Sequence, residues 1–431
     1  MSRHRASARV SRTEAAVGRY TLQTCYIAVT DPVQGLRSFR PVVAYPIQKT
    51  GEFMRSYLIV AAVISLGLPV RVAAQVISTG PIAVKLGGRI NYQFNTTSIS
   101  DEELRLEGVD VAIPGSTFEM RRLWLTTDVA FEDWLSGELE LDFAQGRLRT
   151  RNAFINFEVD PAFQLRAGQL KKPFSLLELT SSSKWPVIER GVRIRGLGDA
   201  LRAGDVSLAP LLTRVDGDVL LPDEQDLLAQ LRYSSFDLGA EVHGGIGRFA
   251  YAVGVFNGAG SDELSDTDAK AFAGRATIAI ARNTPFVIGF GLSRSVFRDG
   301  PTADAENSGL AWEADLQLGE FRRPGLQFLA EVAGGDNLAV SESNFLGAQG
   351  VLAFFRPVAH PRIEGWEVAG RASYGDPRRD VDGDAGVLLT PGFNLYFSGR
   401  NRLMLNWDVF LPESDRFSRE HALRAQAQIY F

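Results

Sequence analysis

The 431-residue chain has one cysteine, Cys25, four methionines and four histidines. A lone cysteine excludes a disulfide framework, so stability must come from hydrogen-bonded elements. His243, His360 and His421 stand far apart, at no zinc-ligand spacing, and no metal or other cofactor is expected. The acidic run from Asp376 to Asp384 lacks the EF-hand pattern for calcium. Gly87-Gly88 and Gly334-Gly335 fall at strand or loop positions and open no helix, which excludes a nucleotide-cradling loop. No Ser-His-Asp arrangement rises above chance, so the chain reads as a non-enzyme. After the N-terminal region no run of about 18 apolar residues is free of charge, which excludes a bundle of membrane-spanning helices. A membrane β-barrel is not excluded. It turns only every second side chain to lipid, and its mean hydropathy looks soluble.

The first 74 residues read as address rather than fold. Met54-Arg55 opens a short charged start, Tyr57 to Leu68 forms an apolar core, and Val72-Ala73-Ala74 offers small residues for cleavage before Gln75. Residues 54–74 are therefore expected to be a secretory signal peptide; the apolar stretch is too short to span a membrane comfortably. Residues 1–53 carry Arg3, Arg5, Arg9, Arg12 and Arg19 without hydrophobic periodicity. They read as a mis-called extension ahead of the true start at Met54, with a basic targeting tail as the alternative. Residues 1–74 hold ten of the 46 basic and three of the 51 acidic side chains. The exported part then carries 36 basic and 48 acidic groups, a net of −12, which disfavours nucleic acid as a partner.

What is present from residue 75 onward is a repeat of alternating segments. In the last segment Leu423, Ala425, Ala427, Ile429 and Phe431 share one face, and Arg424, Gln426, Gln428 and Tyr430 the other. Strand side chains alternate with period two, so this pattern marks one apolar and one polar face. Sixteen strands are expected, at 82–94, 118–131, 136–145, 150–159, 162–170, 236–245, 249–257, 269–281, 284–295, 309–319, 324–333, 346–356, 364–374, 386–397, 401–410 and 421–431. The alternating piece Asp226–Tyr233 is assigned to a loop, because a single-chain barrel closes on an even count. Tight turns such as Asp160-Pro161 and Ser398-Gly399-Arg400 alternate with long connections at 95–117, 171–235, 258–268, 296–308, 334–345, 375–385 and 411–420; the connection at 146–149 is the exception, short where the alternation asks for a loop. Short turns at one rim and long loops at the other is the pattern of a single antiparallel barrel in the bacterial outer membrane, with outer-membrane lipid around it. A soluble sandwich or propeller also alternates, but seldom with this loop asymmetry. The chain closes on Tyr430-Phe431, an aromatic end that the barrel-assembly machinery is expected to read.

Several runs carry a family likeness. They are Phe118-Glu119-Met120-Arg121-Arg122, Gly137 through Phe143, Ala153-Phe154-Ile155, and Leu165 through Leu176 with its Ala-Gly-Gln-Leu-Lys-Lys-Pro-Phe. Thr180 through Trp185, Ile188-Glu189-Arg190, Tyr251 through Gly258 and Gly274-Arg275 complete them. Together they resemble the phosphate-selective porin O and P family. The resemblance implies an all-β, sixteen-stranded, homotrimeric barrel whose third extracellular loop, here 171–235, folds inward as a constriction. It implies passive diffusion of small anions, with phosphate or polyphosphate as candidate solutes.

An anion pore needs fixed positive charge beside a narrowed water path, and Arg can grip phosphate oxygens in a planar fork. The candidates of lumen parity are Lys85, Arg89, Arg122, Arg166, Arg275 and Arg371, joined from the loop by Lys171, Lys172, Lys184 and Arg190. Asp128, Glu138, Glu140, Asp142, Glu158, Glu241, Glu313, Asp315, Glu331, Glu367 and Asp408 share the lumen parity, so pairing would cancel part of that field. A general or cation-tolerant pore, and a structural or adhesive barrel plugged by its own loop, therefore stand as alternatives.

Overall fold

A computed structural model describes residues 25–29, 38–42, 75–79, 82–96, 98, 116–146, 148–189, 214–216, 219–221, 227–261, 268–281, 285–298, 306–337, 343–383, 385–413 and 419–431. The expected signal peptide, 54–74, and Arg190 lie outside them. Two units are distinguished, 1–67 and 68–431. Of the first, the described part is one antiparallel pair, Cys25–Val29 with Ser38–Val42.

The second unit is a closed antiparallel barrel of sixteen strands. They are β1 Ile82–Thr96, β2 Ser116–Glu132, β3 Leu135–Asp142, β4 Arg149–Asp160, β5 Phe163–Lys171, β6 Phe236–Ile246, β7 Phe249–Phe256 and β8 Ala271–Ala279. The second half is β9 Phe286–Arg298, β10 Glu306–Leu318, β11 Gly325–Asp336, β12 Asn344–Pro357, β13 Gly365–Asp376, β14 Gly386–Tyr396, β15 Arg402–Pro412 and β16 Glu420–Tyr430. Each strand pairs with its sequence neighbours, so every connection is a hairpin. The alternating piece near 226–233 holds a one-turn helix, Leu227–Gln230, and adds no strand.

Closure joins the last strand to the first, from Arg424 opposite Asn95 to Tyr430 opposite Arg89. Phe431 and Gly88 then exchange backbone hydrogen bonds at 2.9 and 3.1 Å. The remaining edge of β1 is covered by a short strand, Gln75–Thr79. A Cβ on Gly88 would overlap the Phe431 ring, so glycine is what lets the last side chain lie across the seam.

The outer face is apolar and open. Leu125, Ile155, Val253, Phe290, Leu326 and Val368 are each 40–62 % exposed, which marks a surface made for lipid rather than water. Aromatic pairs stand at the short-turn rim: Trp134 with Phe157, Phe249 with Tyr251, and Phe354 with Trp366, at centroid distances of 6.1–6.2 Å. Half-apolar rings of this kind sit at the headgroup level.

Two breaks in the alternation shape the interior. On β2, Arg122 faces Asn91 but Met120 faces Tyr92, so Arg121 is an extra residue. On β4, Ala153 faces Leu139 and Thr150 faces Leu141, which leaves Arg151 and Asn152 both opposite Glu140. Such β-bulges re-aim a side chain and leave backbone groups unpaired. Gln169 of β5 answers the second one, donating its amide to the carbonyls of Thr150 (2.6 Å) and Arg151 (3.1 Å). Its neighbour Gly168 has φ +133°, and a Cβ there would run into the Ala153 carbonyl.

Candidate functional site

The 172–235 connection follows β5, and its described first arm crosses the barrel interior. Lys172 N–H bonds the Ser235 carbonyl (3.0 Å), which holds the two ends of the loop together. The Lys172 ammonium is buried, donates to the Arg232 carbonyl (2.6 Å) and lies 3.5 Å from Asp237. Burial pulls its pKa below the usual lysine value, and Asp237 opposes that shift. Lys171 is held by Glu178, with Nζ 2.7 Å from its carboxylate.

Past Pro173 the arm reaches the far wall. Ser175 caps the one-turn helix Leu176–Leu179 by accepting from Glu178 N–H (3.2 Å). The Glu331 carboxylate on β11 accepts from the Ser175 hydroxyl (3.0 Å) and Leu177 N–H (2.9 Å). Leu176, Leu177, Trp185 and Val187 then bury themselves on Leu329, Val351, Ala353 and Ala369 of β11–β13. These wall residues are apolar although they face inward, because they seat a loop and not water. Four large apolar side chains removed from water stabilise the seat by roughly 1.5–3 kcal/mol each before entropy costs.

The arm ends in a charged cluster. Asn394 of β14 donates to the Pro186 carbonyl (2.7 Å), and Asn406 of β15 accepts from Ile188 N–H (2.6 Å). Glu189 then meets arginines from three strands. Its carboxylate lies 3.3 Å from Arg121, 3.7 Å from Arg122 and 3.9 Å from Arg424, and its carbonyl accepts from Arg371 (2.9 Å). Asp408 shares the last two, at 3.3 Å from Arg371 and 2.7 Å from Arg424. Ser182 is gripped by Arg89 through its hydroxyl (2.8 Å) and by Arg402 through its carbonyl (3.1 Å). The Arg89 and Arg151 guanidiniums sit 3.6 and 3.7 Å from the Trp124 ring centroid. Two cations cannot share one face at that distance, so the indole is sandwiched between them.

Seven of the ten sequence-predicted cations are ion-paired. Lys85 pairs with Asp128, Arg122 with Glu189, Arg166 with Glu241, Lys171 with Glu178, Lys172 with Asp237, Arg275 with Asp315 and Glu313, and Arg371 with Asp408. Arg89 is buried on Trp124 and Ser182. Lys184 is exposed and has no ion-pair partner among the described residues. The structure brings Arg89, Arg122 and Arg371 together at the loop; Arg166, Lys171 and Arg275 lie along another wall, and Lys85 stands apart. Period-two reading missed Arg121 and Arg151, which have lipid parity and reach the interior only through bulges. Their signal was the cost itself: an arginine facing lipid at mid-membrane is destabilising by about 2–4 kcal/mol.

A family model of the phosphate-selective porin O and P family matches residues 84–319. The chain belongs to this family. No curated protein matches it. Among solved structures it is similar to the outer membrane channel DcaP of Acinetobacter baumannii, at 12 % identity and a TM-score of 0.52, over 83 % of this chain and 100 % of that one. An anion-selective porin from Comamonas acidovorans matches at 12 % identity and 0.52, over 81 % and 100 %. OmpT of Vibrio cholerae matches at 10 % identity and 0.51, over 83 % and 100 %. At these identities the likeness speaks for the barrel fold. The porin is thus an outer-membrane channel, and its short-turn rim is the periplasmic one by the general rule for such barrels. Loop and arginine cluster together narrow its interior.

Proposed function

We propose that this porin passes small anions, phosphate among them, by passive diffusion past the inward loop. One observation carries the reading: the charge balance where the loop is held. Arg89, Arg121, Arg122, Arg371, Arg402 and Arg424 gather there against Glu119, Glu189, Glu367 and Asp408, and Lys184 adds an exposed cation. The excess is positive in a narrow site of low dielectric, where it lowers the entry barrier for anions. Pairing keeps binding weak enough for the ion to leave. Family membership supports the same reading, and with it homotrimeric assembly and recognition of Phe431 by the barrel-assembly machinery.

Phosphate competition with chloride current in a planar bilayer tests it. Added phosphate is expected to lower the chloride current reversibly, and Lys184→Glu is expected to weaken both anion preference and phosphate block. A chloride current indifferent to phosphate would remove phosphate from the reading. An unchanged ion preference in Lys184→Glu would remove Lys184 from the site.

A further inference from the structure

A charge on the outer face of a membrane barrel is costly, so an outward cation marks a place where the wall meets more than acyl chains. Along β9 the outward side chains run Ile288, Phe290, Leu292 and then Arg294. The intervening glycines fix that parity: a Cβ on Gly289 or Gly291 would run into the interior carboxylate of Asp315 or Glu313. Arg294 stands opposite Phe272 of β8 and Leu310 of β10, both exposed and apolar. Its guanidinium donates to the Lys270 carbonyl (3.2 Å), which ties it to the residue leading into β8. Among the described residues no carboxylate pairs with Arg294 or Lys270. The Asp336 carboxylate, on β11 beyond Leu310, accepts from Leu310 N–H (2.8 Å).

Towards the membrane centre the same face is hollow. In the next cross-strand row Leu292 stands opposite Trp312, and Trp312 opposite Gly334. The indole lies across the glycine, where a Cβ would sit 3.2 Å from its Cζ2. The two rows after that place Ala314, Ala330, Ala348 and Ala372 on the outer face of β10–β13. These small side chains floor a cavity of about 570 Å³ on the lipid side, walled by Ile288, Leu316 and Tyr374.

We propose that this face binds a phosphorylated glycolipid of the lipid A type, with a phosphate on Arg294 and Lys270, its sugar against Trp312 and an acyl chain in the cavity. The order of features along the wall is that of an amphipathic lipid: charge, half-polar ring, apolar groove. Arg offers phosphate a planar fork of donors and Lys adds a point charge. Trp favours the headgroup level, where its ring meets both phases. The leaflet follows from the strand ends. Arg294 lies four residues before the end of β9, at the rim of the long connections, which is the outward rim of such barrels. Phosphorylated glucosamine lipids fill that leaflet of a bacterial outer membrane, and phospholipids fill the other. The proposal rests on the outer-membrane placement of the barrel and is independent of its ion preference.

Native mass spectrometry of the purified full barrel in detergent tests it, with diphosphoryl lipid A and phosphatidylglycerol as the competing probes. The parent barrel should retain lipid A in preference to phosphatidylglycerol. Arg294→Gln combined with Lys270→Gln should weaken lipid A binding by about tenfold, the scale of one lost charge-assisted contact. Ala348→Phe fills the cavity, leaves both cations in place and should weaken it too. Arg356→Gln removes an exposed cation at the end of β12, on the short-turn rim, and should change nothing. Each variant is first checked for the compact gel mobility of a folded barrel. Equal retention of the two lipids would overturn the assignment to a glycolipid. Unaltered affinity in the double variant would overturn the phosphate site, and unaltered affinity in Ala348→Phe would overturn the acyl groove. A loss in Arg356→Gln as large as in the double variant would reduce the effect to general charge and overturn the site as a whole.

Discussion

Glu189 is one carboxylate facing arginines from β2, β13 and β16, and its side chain is 2 % exposed. Charges held so far from water need each other. Removing one partner of a buried ion pair costs about 3–5 kcal/mol, because the other is left unpaired. The barrel's hydrogen-bond ladders do not pass through Glu189, so the loss should fall on the loop. Glu189→Ala is expected to leave a folded, detergent-stable barrel whose loop is cut faster by added protease and whose channel is noisier. Protease resistance equal to that of the parent would show that the apolar seat of Trp185, Val187, Leu176 and Leu177 holds the loop unaided. Lys184 is the contrasting case, exposed and without an ion-pair partner among the described residues.

At the scale of elements, the strands were legible and their irregularities were not. Leu423 to Phe431 alternates without a break, and the structure gives a strand from Glu420 to Tyr430. The sequence-expected strands of the barrel each find their counterpart within a few residues, because lipid on one side and a polar interior on the other impose period two along each strand. A bulge breaks that period without leaving a local signature. Arg121 and Arg151 therefore fall on the lipid parity of their strands yet point inward. The inward apolar residues Leu329, Val351 and Ala353 escaped for a related reason: what they pack against comes from a loop about 150 residues away in sequence. Gln169 tests the cost of such an irregularity. Its amide serves two carbonyls at the β4 bulge, and an unserved buried carbonyl costs about 1–3 kcal/mol. Gln169→Leu should lower the temperature at which the folded barrel loses its compact mobility in detergent gels. An unchanged transition would mean that the bulge satisfies itself.

At the scale of the whole barrel, the wall is apolar outside and the interior is filled unevenly by the loop. Arginines hold the loop's first arm around Glu189, a dry cluster of Phe174, Leu228, Leu231 and Tyr233 packs on Leu170, Phe256, Ala271 and Ala273, and a half-open lining of paired charges remains at Glu138, Arg166 and Arg275. That division was only partly legible in the sequence. The length and position of the 171–235 connection and its resemblance to a constriction loop pointed inward. Which wall it would cover depended on the Ser175–Glu331, Ser182–Arg402 and Glu189–Arg contacts, all formed between residues distant in the chain. The acidic balance of the exported chain, taken alone, favours cations. The local balance at the loop favours anions, and local charge in a narrow, poorly hydrated passage outweighs distant surface charge screened over about 8 Å at physiological salt. The decisive measurement is the zero-current potential of the purified full barrel in a planar bilayer under a potassium chloride gradient. A potential of the sign given by chloride moving faster than potassium is what the loop cluster predicts; one of the opposite sign would contradict it.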